Sequence, residues 1–369
     1  MRTSATITFH ACHNYGSMLQ AYSLQQVIKS LGIENEIINL RTDAQRRMYT
    51  DPRRRSLKSR IGHLGLGMFF DRYAWQLARK YDLFEQFMAE NLTLTPEVSD
   101  PRELTKRYDC YVTGSDQCWN TRCRDFNWAY YLDFTDSAQK ISYSSSIGPF
   151  SHDIEAGRVR EFVKDFKAIS VRDSGTQRFI TELTGQEPVI LPDPALLPEI
   201  SVWNNLIAPK PLIEHPYLFF YTPYRRDGMY DVAEHLSSSL NLPVVTSLLT
   251  DYRHEVSLRV KGHLKARLDV GPLEFLNLVK NADAVLSGSF HALLFALIFH
   301  VPVWAFDGDT DLRMNQILQN YGLSDRAISK KDVLEKAPHT MEIDYAAADA
   351  YIVAQRIKAF DYLRTNLIC

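Results

Sequence analysis

The chain has 369 residues, 45% of them hydrophobic and 23% charged, with a formal net charge of −2. These proportions describe a soluble globular protein large enough for two hydrophobic cores, and the near-neutral balance gives no reason to expect a nucleic-acid partner. No apolar run reaches the length of a membrane span, and the first residues lack the apolar centre of a signal peptide. Five scattered cysteines do not make a disulfide framework, so they read as reduced structural thiols of a cytoplasmic protein. Cys118 and Cys123 lack zinc-knuckle spacing and no histidine pair accompanies them, so no metal site is expected.

In chain order, Thr6 to His10 is apolar and β-branched and predicts a first strand. Asn14-Tyr15-Gly16-Ser17 reads as a turn, and Met18 to Leu31 has helical periodicity closed by Gly32. Glu36 to Leu40 predicts the second strand, with later strands at Tyr111 to Thr113, Ile141 to Ser145, Ile169 to Arg172 and Val189 to Leu191. Strands separated by helices imply parallel βαβ units. Six prolines between Pro192 and Pro216 mark a linker, after which Tyr217 to Thr222 opens a second α/β unit. That unit continues through Val244 to Leu248, Ala284 to Leu286 and Val301 to Phe306, and a helical tail covers about Tyr345 to Asn366. The expected organisation is an N-terminal Rossmann-like domain over residues 1–205 and a C-terminal one over 206–344. A last helix, 345–369, packs back across to the first.

One stretch breaks the pattern. Residues 41–80 hold eleven basic residues against Asp43, Asp51 and Asp71, with a glycine-interrupted apolar run from Leu64 to Phe70. It predicts an Arg-rich helical insertion over about 44–95. Its basic and apolar residues together suit an anionic membrane surface; the plainer reading is a solvated insertion whose arginines pair with acids elsewhere.

Residues 282–306 carry the sharpest functional signal. A buried strand stops at Ser287-Gly288-Ser289, an almost wholly apolar helix follows from about Ala292 to Phe299, and Pro302 closes it. His291 is the single ionisable side chain at that strand-to-helix junction, the place where open α/β sheets bind ligands. No P-loop, Gly-x-Gly-x-x-Gly, Gly-x-Ser-x-Gly or His-Glu-x-x-His pattern is present, which weakens nucleotide hydrolysis, dinucleotide redox, serine hydrolase and zinc protease readings.

Several segments, taken in order, resemble the polysaccharide pyruvyl transferase family. They are Asn14 to Leu24, Tyr111 to Asn120, Ile141 to Gly148, Ile169 to Asp173, Leu191 to Pro194 and the stretch ending at Phe306. The resemblance implies two Rossmann-like domains in a glycosyltransferase-B-like arrangement, with a cleft between strand ends. It also implies transfer of the pyruvyl skeleton of phosphoenolpyruvate onto two hydroxyls of a sugar as a cyclic ketal, with release of phosphate. Phosphoenolpyruvate is then a co-substrate, no cofactor or metal is required, and the acceptor is a surface-polysaccharide precursor of the lipid-linked oligosaccharide kind. The expected location is the cytoplasm, at the inner face of the plasma membrane. The oligomeric state is left open.

The chemistry requires a proton for the enol methylene and removal of protons from two hydroxyls, where positioned acid–base groups contribute ~10²–10⁴-fold. By resemblance His291 is the acid–base residue. A helix N-terminus disfavours an imidazolium and a bound phosphate-carboxylate reverses that, so donor binding is expected to protonate it; the plain alternative is a capping histidine. Ser289 stands where better-known ketal-forming members have arginine, so the donor's charge falls to Arg225, Arg226 and Lys261, with Lys265, Arg267 and Arg313 as further cations. Arg172, at a strand end, either grips the donor bidentately or pairs with Asp173 or Asp193. Asn14, Tyr15, Gly16, Ser115 and Gln117 are expected at the acceptor. Asp116 either accepts an acceptor proton or caps a helix, and Trp119 either stacks on sugar or fills the core. Two other readings share the architecture: a nucleotide-sugar glycosyltransferase and a catalytically silent glycan-binding member.

Overall fold

A computed structural model of the protein describes residues 2–54, 64–136, 138–148, 155–250, 264–335 and 341–368. From the N-terminus the elements are β1 (Thr3–Ile7), α1 (Tyr15–Ser30), β2 (Glu34–Ile37), α2 (Asp43–Met48), α3 (Leu64–Asn91), β3 (Cys110–Thr113) and β4 (Gln139–Ser142). Then come α4 (Ala156–Val163), β5 (Ser170–Val171), α5 (Ser174–Thr184), β6 (Val189–Ile190) and α6 (Ile200–Leu206). The second half holds β7 (Leu218–Tyr221), α7 (Met229–Leu240), β8 (Val244–Thr246), β9 (Leu264–Ala266), α8 (Pro272–Lys280), β10 (Ala284–Ser287) and α9 (Phe290–Ile298). It closes with β11 (Val303–Phe306), α10 (Leu312–Asn320), β12 (Ala327–Ile328), α11 (Lys330–Glu335) and α12 (Ala346–Leu367).

Two compact units result. One comprises Met1–Thr50, Glu85–Glu199 and Val353–Cys369, the other Asp51–Phe84 and Ile200–Ile352, so the division passes within α3 and α12. Each unit is built on a parallel sheet, as the alternation of strands and helices requires.

In the first unit the strand order is β2-β1-β3-β4, with Thr6 opposite Ile37 and Ile7 opposite Thr113. β5 and β6 pair separately, and a bridge from Ser145 to Val171 links that pair to the chain leaving β4. One face of the sheet packs Ile7, Phe9, Trp119, Tyr130 and Tyr131. The other packs Leu24, Ile28, Val112, Ile141 and Tyr143 against Ala359, Leu363 and Leu367 of α12. The tail helix is therefore part of the first unit's core, and Tyr362 donates from its hydroxyl to the Ser142 carbonyl at 2.9 Å.

The second unit's sheet runs β12-β11-β10-β7-β8-β9, all parallel. Leu218, Phe220, Leu286, Trp304 and Phe306 form its core with Val232 and Leu236 of α7. All nine residues of α9 are buried, consistent with a helix apolar on every side.

The helix α1 begins three residues earlier than the sequence suggests. Asn14 caps it, its side-chain oxygen accepting from the Gly16 and Ser17 amides at 2.9 and 3.3 Å. A cap of this type contributes about 1 kcal/mol, which offsets the similar cost of Gly16 inside the first turn. Within the basic segment, Arg41 pairs with Glu85, Arg46 with Glu97, Arg47 with Asp43 and Arg53 with Asp51 and Asp82. Arg55, Lys58 and Arg60 lie outside the described residues. Among those described, no helix is long and apolar enough to cross a membrane.

Candidate functional site

Strand order decides where each sheet can bind a ligand. In a doubly wound sheet the crevice opens at the carboxyl ends of the two strands where the order reverses. That point falls between β1 and β3 in the first unit and between β7 and β10 in the second.

At the first unit's edge, a buried polar cluster joins loops from several strands. Asp116 follows β3 with φ +64°, a conformation that non-glycine residues adopt mainly where surroundings enforce it. Its carboxylate accepts from the Ser17 hydroxyl at 2.7 Å and from Arg172 Nη1 at 3.2 Å. The same Nη1 reaches Asp193 at 3.1 Å. The Arg172 side chain is 2% exposed, that of Asp193 0% and that of Asp116 13%. Burial alone would weaken the guanidinium as a base; Asp116, Asp193 and Asp173 outweigh it and push its pKa further up. Of the two sequence readings of Arg172, the ion pair with Asp193 is present. Asp173 instead caps α5 and accepts from Ser146. No helix follows Asp116, so the capping alternative for it does not apply.

The other residues expected at the acceptor are also engaged. Ser115 is fully buried; its amide donates to Gln20 Oε1 at 3.2 Å and its hydroxyl to the Ser144 carbonyl at 2.8 Å. The preceding Gly114 has φ +122° and sits so close to Tyr143 that an added Cβ would lie 2.1 Å from its carbonyl oxygen. Gln117 accepts from Asn120 at 2.8 Å. Tyr15 and Gly16 are buried in the first turn of α1. Trp119 is a core residue stacked on Tyr131 at 5.0 Å, so it does not present a face to sugar.

A second polar group on this edge went unread in the sequence. His13, one residue before the α1 cap, has Nε2 2.8 Å from Glu85 Oε1, and Arg41 Nη2 holds the other Glu85 oxygen at 3.3 Å. Burial pushes the Glu85 carboxyl up, but His13 and Arg41 outweigh it and hold the pKa below the usual value. Nearby, the Cys12 thiol donates to Asp125 at 3.1 Å, and burial followed by the Asp125 charge pushes it well above the ordinary thiol range. Cys110, Cys118 and Cys123 are likewise raised to about 12 by burial, which makes them inert. Only the adjacency of His13 to the Asn14 segment could have marked it, because Glu85 is 72 residues away.

At the second unit's edge, β10 ends at Ser287. The Ser287 hydroxyl donates to the Ser289 carbonyl at 2.8 Å and accepts from the Ser289 amide at 3.0 Å. Gly288 packs on Thr222 at the end of β7: an added Cβ would meet Thr222 Oγ1 at 2.7 Å. Ser289 is the N-cap residue of α9, yet its side chain makes no capping bond. His291 is the second residue of that helix, buried, and edge-on to Phe290 at 5.2 Å.

Two of the expected cations reach this edge. Arg226, in the loop after β7, lies 3.9 Å from Asp307 and 3.6 Å from Asp311. Arg313 binds the same Asp311 through Nε at 3.3 Å and Nη2 at 3.0 Å, with its guanidinium 5.9 Å from the centre of the Phe290 ring. Burial raises the Asp311 carboxyl, but Arg313 and the amides at the start of α10 bring it below the usual range. Burial raises Asp307, with Arg226 opposing. Arg225 is exposed and, with Arg226, Tyr230, Asp231 and Lys330, lines a cavity of about 350 Å³. Arg267 and Lys265 are not brought to this edge. They lie at the far strand β9, where Arg267 pairs with Asp269 at 3.0 Å. Lys261 lies outside the described residues. Among the described residues, no group of three or more His, Cys, Asp or Glu side chains could hold a metal ion.

Solved structures with a similar fold include Arabidopsis thaliana UGT89C1 complexed with UDP, at TM-score 0.53 and 11% identity over 100% of both chains. Another is S. aureus MnaA with UDP, at TM-score 0.52 and 11% identity over 97% of this chain and 91% of that one. At these identities the likeness is one of fold, a two-domain Rossmann-like α/β chain of the glycosyltransferase-B class. No curated protein matches the sequence. The family model of polysaccharide pyruvyl transferases matches residues 14–310, from the Asn14 cap through the Asp116 and Arg172 loops to His291 and the strand beyond it. On that match the chain belongs to the polysaccharide pyruvyl transferase family.

Proposed function

We propose that the protein transfers pyruvate from phosphoenolpyruvate to a sugar of a surface-polysaccharide precursor, forming a cyclic ketal and releasing phosphate. The observation that carries this reading is the placement of His291 at the β7–β10 switch point, with Arg313 paired to Asp311 and lying over the ring of the neighbouring Phe290, in a chain of this family. His291 acts as the acid that protonates the methylene carbon. Ser289, Arg225 and Arg226 bind the donor anion, joined by Arg313, which compensates for the absence of a charge at position 289. Lys261 stays in the proposed donor set on sequence grounds alone.

In the first unit, Asp116, the Asn14 cap with the first turn of α1, and the Ser115 to Gln117 loop supply the acceptor contacts. Of the two parts expected of Arg172, the ion pair with Asp193 is the one its contacts support. Its charge balances Asp116 and Asp193 and fixes the loop after β3, and any donor contact works through that frame.

Ligand-dependent melting separates this function from its rivals. Phosphoenolpyruvate at a hundred times its dissociation constant stabilises the protein by about 2.7 kcal/mol. A protein stabilised by a nucleotide sugar and not by phosphoenolpyruvate is a glycosyltransferase; one indifferent to both is a glycan-binding family member.

A further inference from the structure

We propose that Arg226 has two positions, a resting one against Asp307 and a donor-bound one in the cavity at the loop after β7, and that Asp307 is the positioning residue that sets how readily it moves. The inference rests on the pyruvyl-transfer reading and adds to it what limits the affinity for phosphoenolpyruvate.

Two arginines meet at this edge, and they are held differently. Arg313 is fixed. It binds Asp311 through Nε at 3.3 Å and Nη2 at 3.0 Å, and the same carboxylate caps α10 by accepting from the Arg313 and Met314 amides at 3.1 and 3.4 Å. Asp311 therefore has its partners without Arg226. Arg226 is held loosely: 3.5 Å from the Phe306 carbonyl, 3.6 Å from Asp311 and 3.9 Å from Asp307. A charge-assisted bond is about 2.7–2.9 Å long, so none of these contacts is a close one.

A better partner has room. Arg226 also borders the cavity of about 350 Å³, on the wall that divides it from the two aspartates. That volume lies at the small end of ligand pockets, which run from about 300 to 1,000 Å³. The donor's phosphate and carboxylate each offer the guanidinium fork a pair of oxygens at bonding distance, which neither aspartate gives it here.

Asp307 opposes the move. Its turn is held by the main chain: the amide donates to the Ile328 carbonyl at 2.9 Å, and the carbonyl accepts from the Thr310 and Asp311 amides at 3.1 and 3.2 Å and from the Thr310 hydroxyl at 3.0 Å. Among the described residues the Asp307 carboxylate accepts no hydrogen bond, and its ion-pair contact is with Arg226. The side chain is 28% exposed; burial raises its pKa, Arg226 opposes, and the Asp309 charge adds to the rise. A turn that depended on this carboxylate for its shape would bond it. What the side chain contributes is charge. It favours the resting position of Arg226 and is left partly desolvated without a cation when Arg226 leaves. Only molecules with Arg226 turned to the cavity bind the donor at full strength, so the apparent affinity falls by that fraction.

The test is calorimetric titration of the full chain with phosphoenolpyruvate, beside steady-state kinetics of phosphate release. Asp307→Asn keeps the φ of +51°, which asparagine tolerates. Its Kd and KM for phosphoenolpyruvate are expected to fall roughly three- to fivefold, the equivalent of one partly exposed ion pair. Its kcat and melting temperature should stay near wild type. In an Arg226→Ala background the same substitution should bring no gain, because the residue it releases is gone. A structural ion pair predicts the opposite sign, with unchanged or weaker binding and a lower melting temperature in Asp307→Asn. That result overturns the role of Asp307 while leaving the transferase reading intact. So does an equal gain in the Arg226→Ala background, which would mean that Asp307 acts on the donor directly. A wild-type protein that binds no phosphoenolpyruvate overturns both.

Discussion

Arg172 is the most heavily constrained side chain of the first unit, and removing it has a calculable consequence. Arg172→Met keeps the aliphatic length and deletes the charge, leaving two carboxylates, Asp116 and Asp193, facing one another without their shared cation. Taking one partner from a buried ion pair costs about 3–5 kcal/mol, because the remaining charge stays desolvated and unpaired. Asp193→Asn is milder. It keeps the Oδ1 that accepts from the Ala195 amide at 3.0 Å and leaves Arg172 and Asp116 as a neutral pair. The loss is one charge-assisted bond, about 1.5–3 kcal/mol. The double variant should cost less than the sum, since Asp193→Asn also removes the repulsion that Arg172→Met creates. Urea unfolding at pH 7, followed by circular dichroism, measures all three, and the Arg172→Met deficit should shrink as acid protonates the orphaned carboxylates. A loss under about 1 kcal/mol for Arg172→Met, or a larger loss for Asp193→Asn, refutes the charge accounting.

Burial lowers His10 from 6.5 to about 4, with Asn39 and the Thr8 carbonyl opposing through hydrogen bonds. The unfolded chain therefore takes up a proton that the folded one refuses. The associated stability is complete above pH 6.5, falls by about 3 kcal/mol on acidification and is gone below about pH 4. His10→Gln should flatten that part of the stability–pH curve, and an unchanged slope contradicts the assignment. Gly288→Ala should cost about 1–3 kcal/mol by pressing its Cβ on Thr222 Oγ1, and Thr222→Ala should recover part of it in thermal melts. Arg226→Ala and Arg313→Ala should each raise the KM for phosphoenolpyruvate at least about tenfold, the equivalent of one charge-assisted contact. Arg267→Ala, on the far strand, should leave it unchanged; equal effects at all three positions would argue against a donor site at the β7–β10 edge.

The architecture was legible because its signals are local. Alternating strands and helices predict parallel sheets, and the apolar run from Ala284 to Phe306 marks the strand–helix–strand segment around His291 to within two residues. The start of α1 was misread because Asn, Gly and Ser suit a turn as well as a cap, and only the backbone direction at Asn14 separates the two. The polar clusters were not legible. Ser17, Asp116, Arg172 and Asp193 come from four separate segments, and His13 finds Glu85 across α1, β2, α2 and most of α3. Pairings of that span are set by strand order, which no single segment encodes. The same holds for the cations: sequence alone cannot rank Arg226 and Arg313 above Arg267, whereas the order of strands β7 to β12 does so at once.

Pyruvyl transfer is tested most directly by the mass of a sugar acceptor after incubation with phosphoenolpyruvate. The wild-type protein is expected to add the mass of pyruvic acid less one water and to release one phosphate for each ketal formed, while a folded His291→Ala does neither. Acceptors whose mass never changes with the wild-type protein, or His291→Ala working at the wild-type rate, would contradict it.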